Sequence, residues 1–192
     1  MNNMNPNLNQ NVKTVLGIYN NRPSAETAVD KLDQLGFNVE EISLLMKDSR
    51  DSDQVVKTRG DHVAEGAATG AATGGAIGGF AGLILGAGLV AIPGIGALLI
   101  GGPIAAALGM TGVAATAVSA AATGALAGGV VGGLAGLGVP EETARLYESR
   151  IQEGGVLLAV PTDTTVDKTE VMRVLKETGA DQITNIDLKR RS

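Results

Sequence analysis

The chain has 192 residues, a formal net charge of −5, no cysteine, and 44% apolar residues against only 2% aromatic ones. That length suits one domain with an insertion. The acidic balance and the scarcity of Tyr and Phe leave no electrostatic or stacking footprint for nucleic acid, and the lack of cysteine removes disulfide frameworks and thiolate chemistry, as fits a reducing compartment.

Residues 1–11 are Asn-rich, without the basic start and apolar core of a signal peptide, and are expected to be a disordered tail. Residues 12–47 read as strand, helix, strand. Residues 12–19 are apolar enough for a central strand; residues 23–35 place Ala25, Ala28, Val29, Leu32 and Leu35 on one helical face; Gly36 stops the helix; residues 42–47 form the second strand. Residues 48–65 are a charged tether without periodicity.

Residues 66–140 then carry no charged side chain, and 22 of the chain's 28 glycines fall between 66 and 138. Gly66, Gly70, Gly74, Gly78, Gly82 and Gly86 recur every fourth residue, as do Gly124, Gly128, Gly132 and Gly136, with Gly112, Thr116 and Ala120 extending the second row backwards. On a helix each row is one stripe down one face. A helical glycine costs about 0.5–1 kcal/mol relative to Ala, so such rows imply close backbone approach, as in small-xxx-small packing. The interleaved Ile77, Phe80, Leu83 and Leu89 set the segment apart from a polar Gly/Ser linker. The spacing predicts a glycine-zipper hairpin over 66–139, with one helix over 66–92 and another over 112–138, each about 40 Å long at a rise of about 1.5 Å per residue. Pro93, Gly94, Gly96, Gly101, Gly102 and Pro103 break the pattern between them and are read as the hairpin tip.

Either helix is long enough for a hydrocarbon layer of about 30 Å, yet the large apolar residues of 74–92 supply only about −4 kcal/mol on an insertion scale. Membrane insertion and a soluble assembly that buries the hairpins against each other both follow from the same residues. If the hairpin crosses a membrane, it does so an even number of times, and Lys47, Arg50, Lys57, Arg59, Arg145 and Arg150 around it hold the flanking domain on the cytoplasmic side.

Residues 140–153 form an amphipathic helix with Pro140 suited to its first turn, Glu141 and Glu142 near its N-terminus, and Glu141 four residues before Arg145. Gly154 and Gly155 end it. Residues 156–160 are a second central strand, 167–178 a helix with Val171, Val174 and Leu175 on one face and Gly179 as its stop, and 183–188 an edge strand, followed by a basic tail at 189–192. The halves at 12–47 and 140–188 echo each other, which predicts an α+β fold: a ferredoxin-like βαβ–βαβ domain with the first strands central and the second at the edges, split by the hairpin.

The stretches TVLGIYNNRPSAETAVDKLDQLGFNVEEISLLMKD, AIPGIG and GLGVPEETARLYESRIQEGGVLLAV resemble, over about residues 14–188, the bacterial general stress proteins, a family with heat-induced and low-temperature-induced members. The resemblance implies a stress-associated protein with a split α/β domain around a glycine-rich hydrophobic segment. It rests on arrangement and carries no catalytic signature.

Candidate chemistry is sparse. His62, the one histidine, has only Asp61 and Glu65 nearby and too few ligands for a metal. Gly86-Ala87-Gly88 follows no predicted strand, so it is no dinucleotide fingerprint. Glu141 and Glu142 suit a helix start, and Asp163, Thr164 and Thr165 a turn. The residues therefore predict a non-enzyme without cofactor or metal, whose partners are itself and membrane lipid. The alternatives are a soluble homo-oligomer, cage or filament, with the hairpins as its core, and a small-ligand regulatory domain.

Overall fold

A computed structural model of the chain describes residues 11–48, 79–92, 95–107, 129–162 and 165–189. Of the tail at 1–11 and the tether at 48–65, residues 1–10 and 49–65, His62 among them, lie outside the described residues. The fold is α+β, built on one six-stranded sheet.

The first half is β1 (Asn11–Tyr19), α1 (Arg22–Gln34), a 3-10 turn at Val39–Glu41 and β2 (Ser43–Lys47). The start of α1 is fixed locally: the Asn21 side chain accepts from the Ser24 amide at 3.0 Å, and proline occupies its first turn. Ala25, Ala28, Val29 and Leu32 are fully buried on the predicted face, whereas Leu35, expected to join them, is 49% exposed just past the helix end. The second half is α5 (Glu141–Gln152), β5 (Val156–Thr162), α6 (Thr165–Glu177) and β6 (Asp181–Lys189). Glu141 and Arg145 form the ion pair their spacing predicts, at 2.6 Å, but both are largely exposed and the pair adds little stability.

With β3 at Gly88–Ile92 and β4 at Gly96–Gly101, the strand order is β3-β4-β2-β5-β1-β6, and every neighbouring pair is antiparallel. β1 and β5 are central and β6 is an edge, as expected. β2 is not an edge. The cause is in the glycine-rich insert, where β3 (Gly88–Ile92) and β4 (Gly96–Gly101) form a β-hairpin, and β4 pairs with β2 from Leu44↔Gly101 to Lys47↔Leu98. The helix predicted over 66–92 is thus corrected. Its described part is only α2 (Phe80–Gly86), because the chain turns from helix to strand at Ala87. After β4 come α3 (Pro103–Ala107) and α4 (Gly129–Gly136). Among the described residues no helix is long and apolar enough to cross a membrane.

Alternation along the strands gives the sheet two apolar faces. Val15, Leu44, Leu99 and Leu158 point to one, which α1, α2 and α6 cover with Leu32, Phe80, Leu83 and Leu175. Leu16, Leu45, Leu98 and Leu157 point to the other, covered by α3, α4 and α5 with Ile104, Leu134, Tyr147 and Ile151.

The two tyrosines anchor opposite faces. Tyr147 donates to the carbonyl of Gln182, a residue held at φ +46 where β6 bulges against β1. Tyr19 has no exposed surface, and its hydroxyl meets Thr178 Oγ1 at 2.9 Å while Thr178 itself donates to the Val174 carbonyl at 2.7 Å. Burial pushes the Tyr19 phenol up to about 12, the hydrogen bond with Thr178 pulling the other way. Since the folded state favours the neutral phenol, this contribution is complete below the ordinary value of 10.0 and is lost as the pH rises from there through about 12. An alkaline titration followed by tyrosinate absorbance and circular dichroism is therefore expected to show unfolding beginning above pH 10, with a loss of about 2–3 kcal/mol from this group. In Tyr19→Phe that share of the pH dependence disappears.

Candidate functional site: the docked insert

The element that distinguishes this fold is the insert's attachment to the sheet, and several contacts fix it. The Arg22 guanidinium at the start of α1 lies 5.5 Å from the centre of the Phe80 ring at the start of α2, a cation–π contact that joins insert to core. Phe80, Leu83 and Ala87 are buried in the cluster they share with α1. At the far end of β4 the chain passes through Gly101 and Gly102. A Cβ on Gly101 would sit 3.0 Å from the Leu83 carbonyl oxygen, and one on Gly102, at φ +79, would sit 2.3 Å from the Ile42 carbonyl oxygen and 2.7 Å from Ser43 Cα. Only glycine lets the backbone approach β2 this closely in that conformation. Ser43, 3% exposed, then accepts through its hydroxyl from the Ile104 amide at 2.9 Å and satisfies an N–H of α3.

The predicted tip residues are therefore not remote from the domain. Gly96 opens β4, Gly101 closes it, and Pro103 begins α3; Pro93 and Gly94 lie outside the described residues. Of the two glycine rows, Gly66, Gly70, Gly74, Gly78, Gly112, Thr116, Ala120, Gly124 and Gly128 also lie outside them. Gly82 and Gly86 are on α2, and Gly132 and Gly136 on α4. These helices pack into the two clusters on opposite faces of the sheet, so the described parts of the rows do not meet. A Cβ on Gly82 or Gly136 would touch nothing within 4 Å.

Elsewhere a polar cleft of about 260 Å³ opens at the end of β5, between Lys13, Thr14, Thr162, Lys168, Asn185, Ile186 and Asp187. Thr162 donates to the Lys13 carbonyl at 3.2 Å, and Lys13 is registered against Asp187 across β1 and β6. The lining contains no histidine and no nucleophile paired with a base. No group of three His, Cys, Asp or Glu suited to a metal ion occurs among the described residues. Gly86-Ala87-Gly88 runs from helix into strand, the reverse of a dinucleotide fingerprint. Sequence reasoning missed Ser43, Arg22 and Phe80 as docking residues, since each partner is distant in the chain.

An α+β domain whose inserted segment extends its own sheet is the class this geometry defines. Residues 14–91, from β1 to β3, match the family model of the heat induced stress protein YflT domain, so over this stretch the chain is similar to bacterial general stress proteins. No curated protein and no solved structure matches the chain.

The glycines of the insert divide into two expected behaviours. Gly102→Ala combines a steric clash with an unfavourable φ and is expected to cost at least about 1–3 kcal/mol. Gly82→Ala adds a methyl to open space on a helix and is expected to gain about 0.5–1 kcal/mol. Chemical denaturation of the two variants checks both. A loss of oligomer size in Gly82→Ala would show instead that the first row is a contact between copies.

Proposed function

We propose that this chain is a non-enzymatic, stress-associated structural protein that acts by self-association, with a ferredoxin-like βαβ–βαβ core to which the glycine-rich insert is fastened. The stress association follows the family match at 14–91. The observation that carries the structural reading is the pairing of β4 with β2. A hairpin tip hydrogen-bonded to the core cannot stand across a bilayer from it.

The flanks of the remaining segments argue the same way. Residues 107 and 129 bound an interval of 21 residues, and α3 and α4 on either side of it pack in one cluster. The interval must leave and return on the same side, and two crossings need about 40 apolar residues. The interval between β2 and α2 begins with the charged tether and offers still fewer apolar ones. Both segments suit contact with another copy more than passage through lipid. Flat docking on a membrane surface is the second reading, favoured by the absence of charge from 66 to 140.

Flotation with lipid vesicles at neutral pH, together with light-scattering mass in detergent-free buffer, separates the two. The expected result is protein that stays in the aqueous fraction and a uniform particle heavier than the 19.3 kDa monomer. Flotation with the vesicles would overturn the structural reading in favour of surface docking.

A further inference from the structure

The two edges of the sheet are built differently. β6 carries Asp181, Asp187 and Lys189, and its pairing with β1 is interrupted by the bulge at Gln182. Charges and bulges are the devices by which an edge strand is kept from pairing with another chain. β3, at the other end of the sheet, has neither. Its sequence, GLVAI, contains no charge and no proline, and its pairing with β4 is regular through all five residues from Gly88↔Ile100 to Ile92↔Gly96. In an antiparallel ladder alternate residues of an edge strand turn their N–H and C=O groups outward, and among the described residues no strand lies beyond β3.

We propose that β3 is the contact through which two copies of this chain associate, pairing antiparallel across a twofold axis centred on Val90 so that Gly88 of one copy lies opposite Ile92 of the other. This rests on the self-association reading above. The choice of a second copy over the chain's own segments follows from composition. Residues 49–65 are charged, and 66–78 and 108–128 are dominated by Gly and Ala, which are poor strand formers. The strand available in every copy with the right length and apolar character is β3 itself. An antiparallel pair of identical strands maps onto itself by a twofold rotation, which closes the association at two copies along this edge. Centring the axis on Val90 is the register that pairs all five residues.

The test uses the full chain. Mass by light scattering is measured for the parent, Val90→Thr, Val90→Lys, Val90→Glu and Asn185→Lys, with circular dichroism to follow folding. Like charges opposed at the twofold should block pairing, so the Lys and Glu variants are each expected at half the parent mass. The uncharged Thr variant and the β6 variant are expected to keep that mass, and an equimolar mixture of Val90→Lys with Val90→Glu should recover it. Because the chain has no cysteine, Val90→Cys offers a second readout: oxidation should give a covalent dimer, whereas Asn185→Cys should not. A monomeric parent would overturn both this proposal and the self-association reading. A parent heavier than the monomer whose mass is unchanged in the Lys and Glu variants would overturn the β3 contact alone and leave the glycine rows or another surface as the interface. Failure of the mixture to recover mass would mean that the single variants had misfolded, and would likewise overturn it.

Discussion

Everything distinctive in this molecule depends on the pairing of β4 with β2. A two-layer domain made of the outer halves alone would leave β2 as an apolar edge, with Leu44, Leu45 and Met46 beside open backbone. The insert removes that liability by supplying β4, which places Leu98 and Leu99 on opposite faces of the sheet, so each face of β2 gains an apolar flank. Once β4 is in place, α2 is carried to one face and α3 to the other. The insert is therefore divided between both layers of the core and does not stand off as an appendage.

How much of this was legible in the sequence depends on the range of the interactions. The outer strands and helices follow from local pattern: Leu32 and Val29 at helical spacing, Asn21 and Pro23 at a helix start, and Gly36 and Gly179 at helix ends with φ +87 and +89. The insert defeated the same method because a spacing of four residues is ambiguous. Residues four apart share a face on a helix and also on a strand, where the period is two. The row running through Gly82 and Gly86 thus could not reveal that helix gives way to strand at Gly88. A discriminating signal was present in AIPGIG, where Pro93-Gly94 separates two short apolar runs in the manner of a hairpin turn. The contacts of Gly102 with Ile42 and Ser43 have no local signature, since they join residues about sixty positions apart in the chain.

Three buried hydroxyls are engaged in structure. Tyr19 and Tyr147 use their hydroxyls to fasten α6 and β6 respectively, and Ser43 satisfies the start of α3. Arg173 sits between Glu170 and Glu177 on the outside of α6, where solvent screens such pairs.

The central strand β1 has a consequence for how the chain is made. Its neighbours are β5 and β6, and the Thr162 to Lys13 hydrogen bond spans 149 residues. During synthesis β1, α1 and β2 leave the ribosome long before either neighbour of β1 exists, and the uncharged insert emerges next. The nascent chain thus presents its most apolar segments while the strands that will cover them are still unmade. Such long-range pairing is slow and exposes sticky intermediates. The charged stretch at 49–65, placed between β2 and the insert, has a composition that opposes premature coalescence of the two.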